Sequence, residues 1–389
     1  LEQKRILIAI PVLLLGGTEI HTLSLVRILV EAGYRVMVCC YYEFDNSVVA
    51  QFKEAGADVI LLRLDRSDSR FGINKIKELI HSLVTLFREY RPDIVHVQYL
   101  APGLIPIIAA RIARVPTVFA TVHIAGSIAY GLKAKLLLRT AAKLTTAFIC
   151  VSQGVERFWF GNSHLFQPGK PVNDRKHFTI YNAVDVEKIE RIIGNFERQQ
   201  LKHNLGITGR PVIGFVGRLT KQKGVTLLLD AIPEIRKNFP NVVTVIAGDG
   251  PEKDTLNRKA VNLGISNNVL WLGAMPREEV LKLYRIMDVF VMPSLYEGFG
   301  LTAAEAMAAG IPVIGTNVDG LNEVVNDHET GFLIPVSDVD TLISQVLLLL
   351  KDSNLALKMG ELGRERIRTL FPIDKYCSSI LFFYKMLSK

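Results

Sequence analysis

The sequence predicts an α/β protein made of two Rossmann-like, doubly wound domains facing each other across a cleft. Three observations carry this reading. The chain has 389 residues, beyond the size at which one hydrophobic core keeps growing. Short apolar segments alternate with helical ones, the rhythm of parallel βαβ units. That rhythm then restarts near residue 210.

In the first half, KRILIAI (4–10), YRVMVCCYY (34–42), DVILLRL (58–64), DIVHVQY (93–99), TVFATVH (117–123) and TAFICVS (146–152) read as six buried strands. Between them, segments such as 18–33, 46–56, 76–90, 104–113 and a stretch ending near Leu144 carry helical spacing. A polar, helix-prone connector spans roughly 186–209. After it, VIGFVG, VVTVIAG, NVLWLG, VFVMPS and IPVIGT are strands, each followed by a turn and a helix. The expected division is 1–185 and 186–370. The last segment, 371–389, has the spacing of a terminal helix that either finishes the second domain or packs back on the first. Ligands in open α/β sheets bind at the carboxyl ends of the strands, so the expected site is the cleft.

Composition narrows the class. Hydrophobic content of 49% and charged content of 22% suit a globular enzyme, and no apolar run is long enough for a membrane span. The opening LEQKRILIAIPVLLLGG reads as a buried strand leading into a glycine loop. Cys39, Cys40, Cys150 and Cys377 form neither a C-x-x-C pair nor a disulfide framework. The expected compartment is the cytoplasm, with peripheral contact at the inner face of the membrane. The formal charge of +8 is uneven: residues 1–185 hold 22 Lys and Arg against 15 acids, residues 186–389 hold 24 against 23. The basic first half accompanies no nucleic-acid motif. Residues 131–144, GLKAKLLLRTAAKL, form a basic amphipathic helix that either lies on a bilayer or covers the sheet.

Residues 294–323, SLYEGFGLTAAEAMAAGIPVIGTNVDGLNE, place Glu297 and Glu305 eight positions apart around a Gly-rich bend. Gly298 and Gly300 permit a tight turn, and a helix starting near Leu301 or Thr302 offers N–H groups and a positive dipole end to a phosphate. Thr302 and Glu305 also spell a T-x-x-E capping box, the structural alternative for Glu305. Arg218 and Lys223 follow a strand, five residues apart, so both cations can meet one diphosphate. Asp338-Val339-Asp340 has the letters of a metal motif, but its place before a helical run makes it a helix cap. No metal site and no cofactor are expected.

With GFVGRLTKQKG (214–224), VIAGDGPEKDTL (245–256), VLWLG (269–273) and the E-x7-E segment in this order, the chain resembles the family 4, group 1 retaining glycosyltransferases of the GT-B fold. The resemblance implies a hexose moved from a nucleoside diphosphate sugar, UDP favoured, to a glycan or lipid-linked acceptor, in the setting of cell-surface polysaccharide synthesis. It further implies a donor site of Gly16, Gly17, Arg218, Lys223, Gly248, Met275, Gly298, Phe299, Gly300, Leu301, Thr302 and Glu305. In it Glu305 holds the ribose hydroxyls and Met275 lies by the base. Glu297 and His123 are the implied catalytic residues beside the donor sugar, His123 pointing into the cleft mouth. Glu19 either contacts an acceptor or begins a helix favourably; His96 is read as a core or supporting residue. Departures from the family pattern are Ile124 after His123, Gln98, IYNAVD at 180–185, and Asp319 and Asn322 in VDGLNE. Segment 157–178, with Phe158, Trp159 and Phe160, is expected either to contact acceptor or membrane or to anchor a loop. Rival readings are a nucleotide-sugar 2-epimerase-like enzyme and a non-catalytic nucleotide-sugar-binding regulator.

Overall fold

The structure, a computed structural model, describes residues 3–65, 73–99, 104–124, 131–170, 172 and 175–387. The chain forms two compact units, one of Leu1–Asn182 with Asp374–Lys389, the other of Ala183–Ile373.

Unit 1 runs β1 (Arg5–Ile10), α1 (Gly17–Glu31), β2 (Arg35–Cys40), α2 (Asn46–Glu54), β3 (Asp58–Leu61), α3 (Ile73–Tyr90), β4 (Ile94–Tyr99), α4 (Ile105–Ile112), β5 (Thr117–Val122), α5 (Leu132–Leu144), β6 (Ala147–Cys150), α6 (Gln153–Phe160) and β7 (His177–Thr179). All seven strands are parallel, in the order β3-β2-β1-β4-β5-β6-β7. Strand β1 is buried from Ile6 to Ile10, because helices cover both faces and leave no polar side for alternation. The seventh strand was absent from the sequence reading, which counted six. His177–Thr179 is a three-residue edge strand, too short to show a hydrophobic pattern.

Unit 2 runs α7 (Val186–Gly194), α8 (Arg198–Asn204), β8 (Val212–Val216), α9 (Val225–Asn238), β9 (Val243–Ala247), α10 (Lys253–Asn262), β10 (Val269–Gly273), α11 (Arg277–Leu283), β11 (Val289–Met292), α12 (Leu301–Ala308), β12 (Val313–Thr316), α13 (Leu321–Val324), β13 (Gly331–Ile334), α14 (Val339–Lys351) and α15 (Ser353–Leu370). Its six parallel strands are ordered β10-β9-β8-β11-β12-β13. Strand β13, GFLI, was also missed: glycine and a short length hide it. Asp338 caps α14, accepting from Thr341 N–H at 3.0 Å and Thr341 Oγ1 at 2.7 Å, so the D-x-D letters have a helix-capping use.

The last helix, α16 (Ile373–Leu387), belongs almost wholly to unit 1. Phe383 is fully buried against Phe119, Phe166 and Phe178, with ring centroids 5.1, 5.2 and 6.0 Å away. Burying a ring of this size stabilises by about 1.5–3 kcal/mol, enough to fasten the terminal helix to its sheet.

Candidate functional site

In unit 2 the strand order reverses between β8 and β11. Loops leaving two such neighbours turn to opposite faces and open a crevice at the strands' carboxyl ends. The β8 loop carries Arg218 and Lys223; the β11 loop carries Glu297. Topology thus brings together residues 74 positions apart: Lys223 Nζ donates to Glu297 Oε2 at 2.5 Å. Both side chains are largely shielded, at 18% and 13% exposure. Ser294 Oγ donates to the same oxygen at 3.3 Å, and the Gly298 N–H to Oε1 at 3.2 Å. Three donors therefore fix the carboxylate.

Backbone contacts lock the two loops. Leu295 N–H donates to Gln222 O at 2.7 Å, and Gln222 Nε2 to Tyr296 O at 3.0 Å. Gly224 has φ +63°, and a Cβ there would lie 2.0 Å from Pro293 O, so only glycine admits this approach. Gly248 obeys the same constraint: its Cβ would lie 1.9 Å from Gly217 O, where the β9 loop abuts the residue before Arg218. Arg218 is exposed and makes no ion pair among the described residues, so the structure does not join it to Lys223 or Glu297. Met275 is half-buried in the link between β10 and α11.

Helix α12 begins at Leu301 behind Gly300, whose φ is +93°, with no side-chain cap on its N-terminus. The T-x-x-E capping box is not formed. Glu305 is 1% exposed, and its oxygens are engaged elsewhere: Arg277 Nη2 donates to Oε1 at 2.6 Å and Tyr284 Oη to Oε2 at 3.0 Å. Burial opposes the charge on Arg277, but the adjacent Glu305 outweighs it and raises the guanidinium pKa. Burial, with the Glu305 charge second, also pushes the Tyr284 hydroxyl well up, so it stays protonated and donates. Sequence reasoning missed Arg277 and Tyr284. They lie 28 and 21 residues from Glu305 and meet it only through the fold. Gly298 and Phe299 are buried, Phe299 edge-on to Phe371 with centroids 5.2 Å apart, whereas Leu301 and Thr302 remain half-exposed at the helix start.

In unit 1 the order reverses between β1 and β4. Gly16 caps α1 in extended conformation and Gly17 is its first residue. Glu19 is buried and folds back so that a Cβ on Gly16 would lie 2.6 Å from its Oε2. His123 follows β5, the strand end from which it was expected to point into the cleft mouth, and its ring is largely buried within unit 1. It is 8% exposed, with Nε2 2.8 Å from Gln98 Oε1 and its ring centroid 5.0 Å from that of His21. The cause is the cover supplied by α1 and α16, where Tyr376 stacks edge-on to His21 at 5.2 Å. His96 is a satisfied core residue, its nitrogens 2.5 Å from Tyr384 Oη and 2.7 Å from Thr121 Oγ1.

Burial holds these three histidines neutral: His21 falls to about 4, His96 to about 3, and His123 well below its usual value. Their folded pKa values lie below the unfolded one, about 6.5, so on acidification the unfolded chain takes up protons first. The stability they confer is complete above pH ~6.5 and lost as pH falls towards their folded values. Unfolding of unit 1, followed by calorimetry, is expected to become easier by about 2 kcal/mol for each of His21 and His96 between pH 7.5 and 5, with His123 acting in the same direction. A stability unchanged over that range would contradict this assignment.

Segment 157–178, of which 171, 173 and 174 lie outside the described residues, follows the anchoring alternative where described. Trp159 is 1% exposed and its Nε1 donates to Ile124 O at 2.8 Å. Phe160 stacks on His177 at 4.1 Å, and Lys135 Nζ sits 4.1 Å over the Phe158 ring. Asp319 and Asn322 are both exposed. Among the described residues, no group of three or more His, Cys, Asp or Glu side chains is arranged to hold a metal ion.

Two Rossmann-like units with all-parallel sheets, each with a strand-order reversal, define a GT-B type of protein. A model described as "Glycosyltransferase Family 4" matches residues 15–188, and one described as "Glycosyl transferases group 1" matches 197–366. The UDP-Gal:alpha-D-GlcNAc-diphosphoundecaprenol alpha-1,3-galactosyltransferase of Escherichia coli is 32% identical over 79% of this chain and 79% of its own. The GDP-mannose-dependent alpha-(1-6)-phosphatidylinositol monomannoside mannosyltransferase of Mycolicibacterium smegmatis is 35% identical, but only over 43% of this chain and 46% of its own. Among solved structures, Anabaena Alr3699/HepE in complex with UDP and glucose superposes with a TM-score of 0.80 at 21% identity, covering 98% of this chain and 100% of that one. The chain belongs to the group 1, family 4 glycosyltransferases, hexosyltransferases of the GT-B fold.

Proposed function

We propose that this protein transfers a hexose from a UDP-sugar to a hydroxyl of a glycan or lipid-linked acceptor, with retention at the anomeric carbon, in the building of a cell-surface polysaccharide. The observation that carries the reading is the shielded Lys223–Glu297 pair at the strand-order reversal of unit 2. It sets a cation for the leaving diphosphate beside a carboxylate for the positive charge that develops on the sugar. Arg218 and the uncapped start of α12 at Leu301 and Thr302 supply further positive potential for phosphate. Glu305, held by Arg277 and Tyr284, is the acceptor of the ribose hydroxyls, with Met275 beside the base. Support for uridine comes from relatives: the E. coli enzyme's name specifies UDP-Gal, and the Anabaena protein was solved with UDP and glucose.

In the reaction the bond from anomeric carbon to phosphate oxygen breaks and its electron pair stays on the diphosphate. The acceptor oxygen bonds to the same carbon on the same face, and its proton passes to the departing phosphate oxygen. Glu297 stabilises the oxocarbenium-like carbon; Lys223 and Arg218 stabilise the leaving group. In unit 1, donor contact is implied for Gly16, Gly17 and His123 by the family resemblance alone, and His123 is kept neutral by burial and hydrogen-bonded to Gln98. Because protein cations carry the diphosphate charge, transfer is expected to proceed unchanged in EDTA. The test measures nucleoside diphosphate release and the anomeric configuration of the product with and without chelator. Inversion at the anomeric carbon, or loss of release in EDTA restored by a divalent cation, would contradict this mechanism.

A further inference from the structure

Helix α5 turns four of its five leucines to solvent. Ala141, Ala142 and Leu138 are buried, whereas Leu132, Leu136, Leu137 and Leu144 are 86%, 69%, 39% and 38% exposed. A helix that merely covers a sheet has one apolar face, turned inward. This one has two. At its carboxyl end Arg111 Nε donates to Leu144 O at 2.6 Å, tying α5 to the end of α4, where Ile112 is 47% exposed.

Charge on the helix itself has one sign. Helix α5 carries four cations and no acid. Two of the cations turn to α6: Lys135 lies over the Phe158 ring, and Arg139 Nε donates to Trp159 O at 2.8 Å. Lys133 and Lys143 remain exposed beside the leucines. Residues 101–180 together hold ten Lys and Arg against two acids, an excess equal to the net charge of the whole chain. One of those acids, Glu156, is buried and bonded to His177 and Thr179.

We propose that the outward face of α5, with Ile112 of α4, docks on the surface of an anionic lipid bilayer. The leucines enter the boundary between headgroups and acyl chains, and Lys133 and Lys143 meet lipid phosphates. Leucines flanked by lysines, with no carboxylate among them, match an interfacial helix on a negatively charged membrane. No helix among the described residues is long and apolar enough to cross a membrane, so the contact is peripheral. The inference concerns only the surface of unit 1 and stands or falls independently of the donor reading.

The test is flotation of the full chain with vesicles of phosphatidylcholine alone and with 30% phosphatidylglycerol. The protein is expected to float with the anionic vesicles at low salt, to bind neutral ones at least tenfold less, and to be partly released by high salt. Leu132→Ser/Leu136→Ser and, separately, Lys133→Glu/Lys143→Glu are each expected to lower anionic-vesicle binding at least tenfold with the melting temperature unchanged, since all four side chains are exposed. Failure to float with anionic vesicles would overturn the proposal. So would binding that the leucine pair does not affect, which would mark the patch as a general polyanion surface rather than one that enters lipid.

Discussion

Glu297→Gln is expected to cut turnover by about 10²–10³-fold while leaving UDP affinity within a few-fold of the parent. The amide keeps the shape of the side chain, and its single oxygen can still accept from Lys223 and Ser294, while the NH2 in place of Oε1 gives up only the 3.2 Å contact from the Gly298 N–H. What it lacks is the negative charge. That charge matters when positive charge grows on the anomeric carbon and matters little while the nucleotide merely binds, so the loss falls on kcat. Single-turnover kinetics beside calorimetric UDP binding separate the two. Equal turnover in the variant would remove Glu297 from the reaction.

Lys223→Ala is expected to act on binding first, weakening UDP by about 100-fold. One charge-assisted hydrogen bond to phosphate accounts for part of the loss. The rest arises because Glu297, 13% exposed and 2.5 Å from Lys223 Nζ in the parent, is left unpaired beside an incoming dianion. The double variant Lys223→Ala/Glu297→Gln should therefore recover part of the UDP affinity while remaining inactive. Strict additivity of the two changes, measured by the same calorimetry, would show that the pair is not coupled to the ligand.

Parts of this arrangement were legible in the sequence because they are local. Apolar runs punctuated by glycine gave the strands, and the order of Gly-rich loops after them gave the family. The edge strands His177–Thr179 and Gly331–Ile334 left no comparable trace, being short and, in the first case, polar. At the site, spacing placed Glu297 and Lys223 on separate loops, but only the order β8-β11 in the sheet sets those loops side by side. The T-x-x-E letters at Thr302 and Glu305 pointed equally to a cap and to a ligand. Long-range partners decide against the cap, since Arg277 and Tyr284 take both carboxylate oxygens. Likewise, the end of β5 places His123 but does not foretell its burial, where its ring meets His21 of α1, which in turn meets Tyr376 of the returning α16. Burial imposed by elements distant in sequence has no signature in local periodicity.

The central claim is that unit 2 binds a nucleoside diphosphate sugar through Lys223 and its loop. Its most direct test is titration calorimetry of the full chain with UDP-, GDP-, ADP- and TDP-sugars, in EDTA, on the parent and on Lys223→Ala. Saturable binding of a UDP-sugar by the parent and its near-loss in the variant are the expected results. Absence of binding to every donor, or binding that Lys223→Ala leaves unchanged, would contradict the claim.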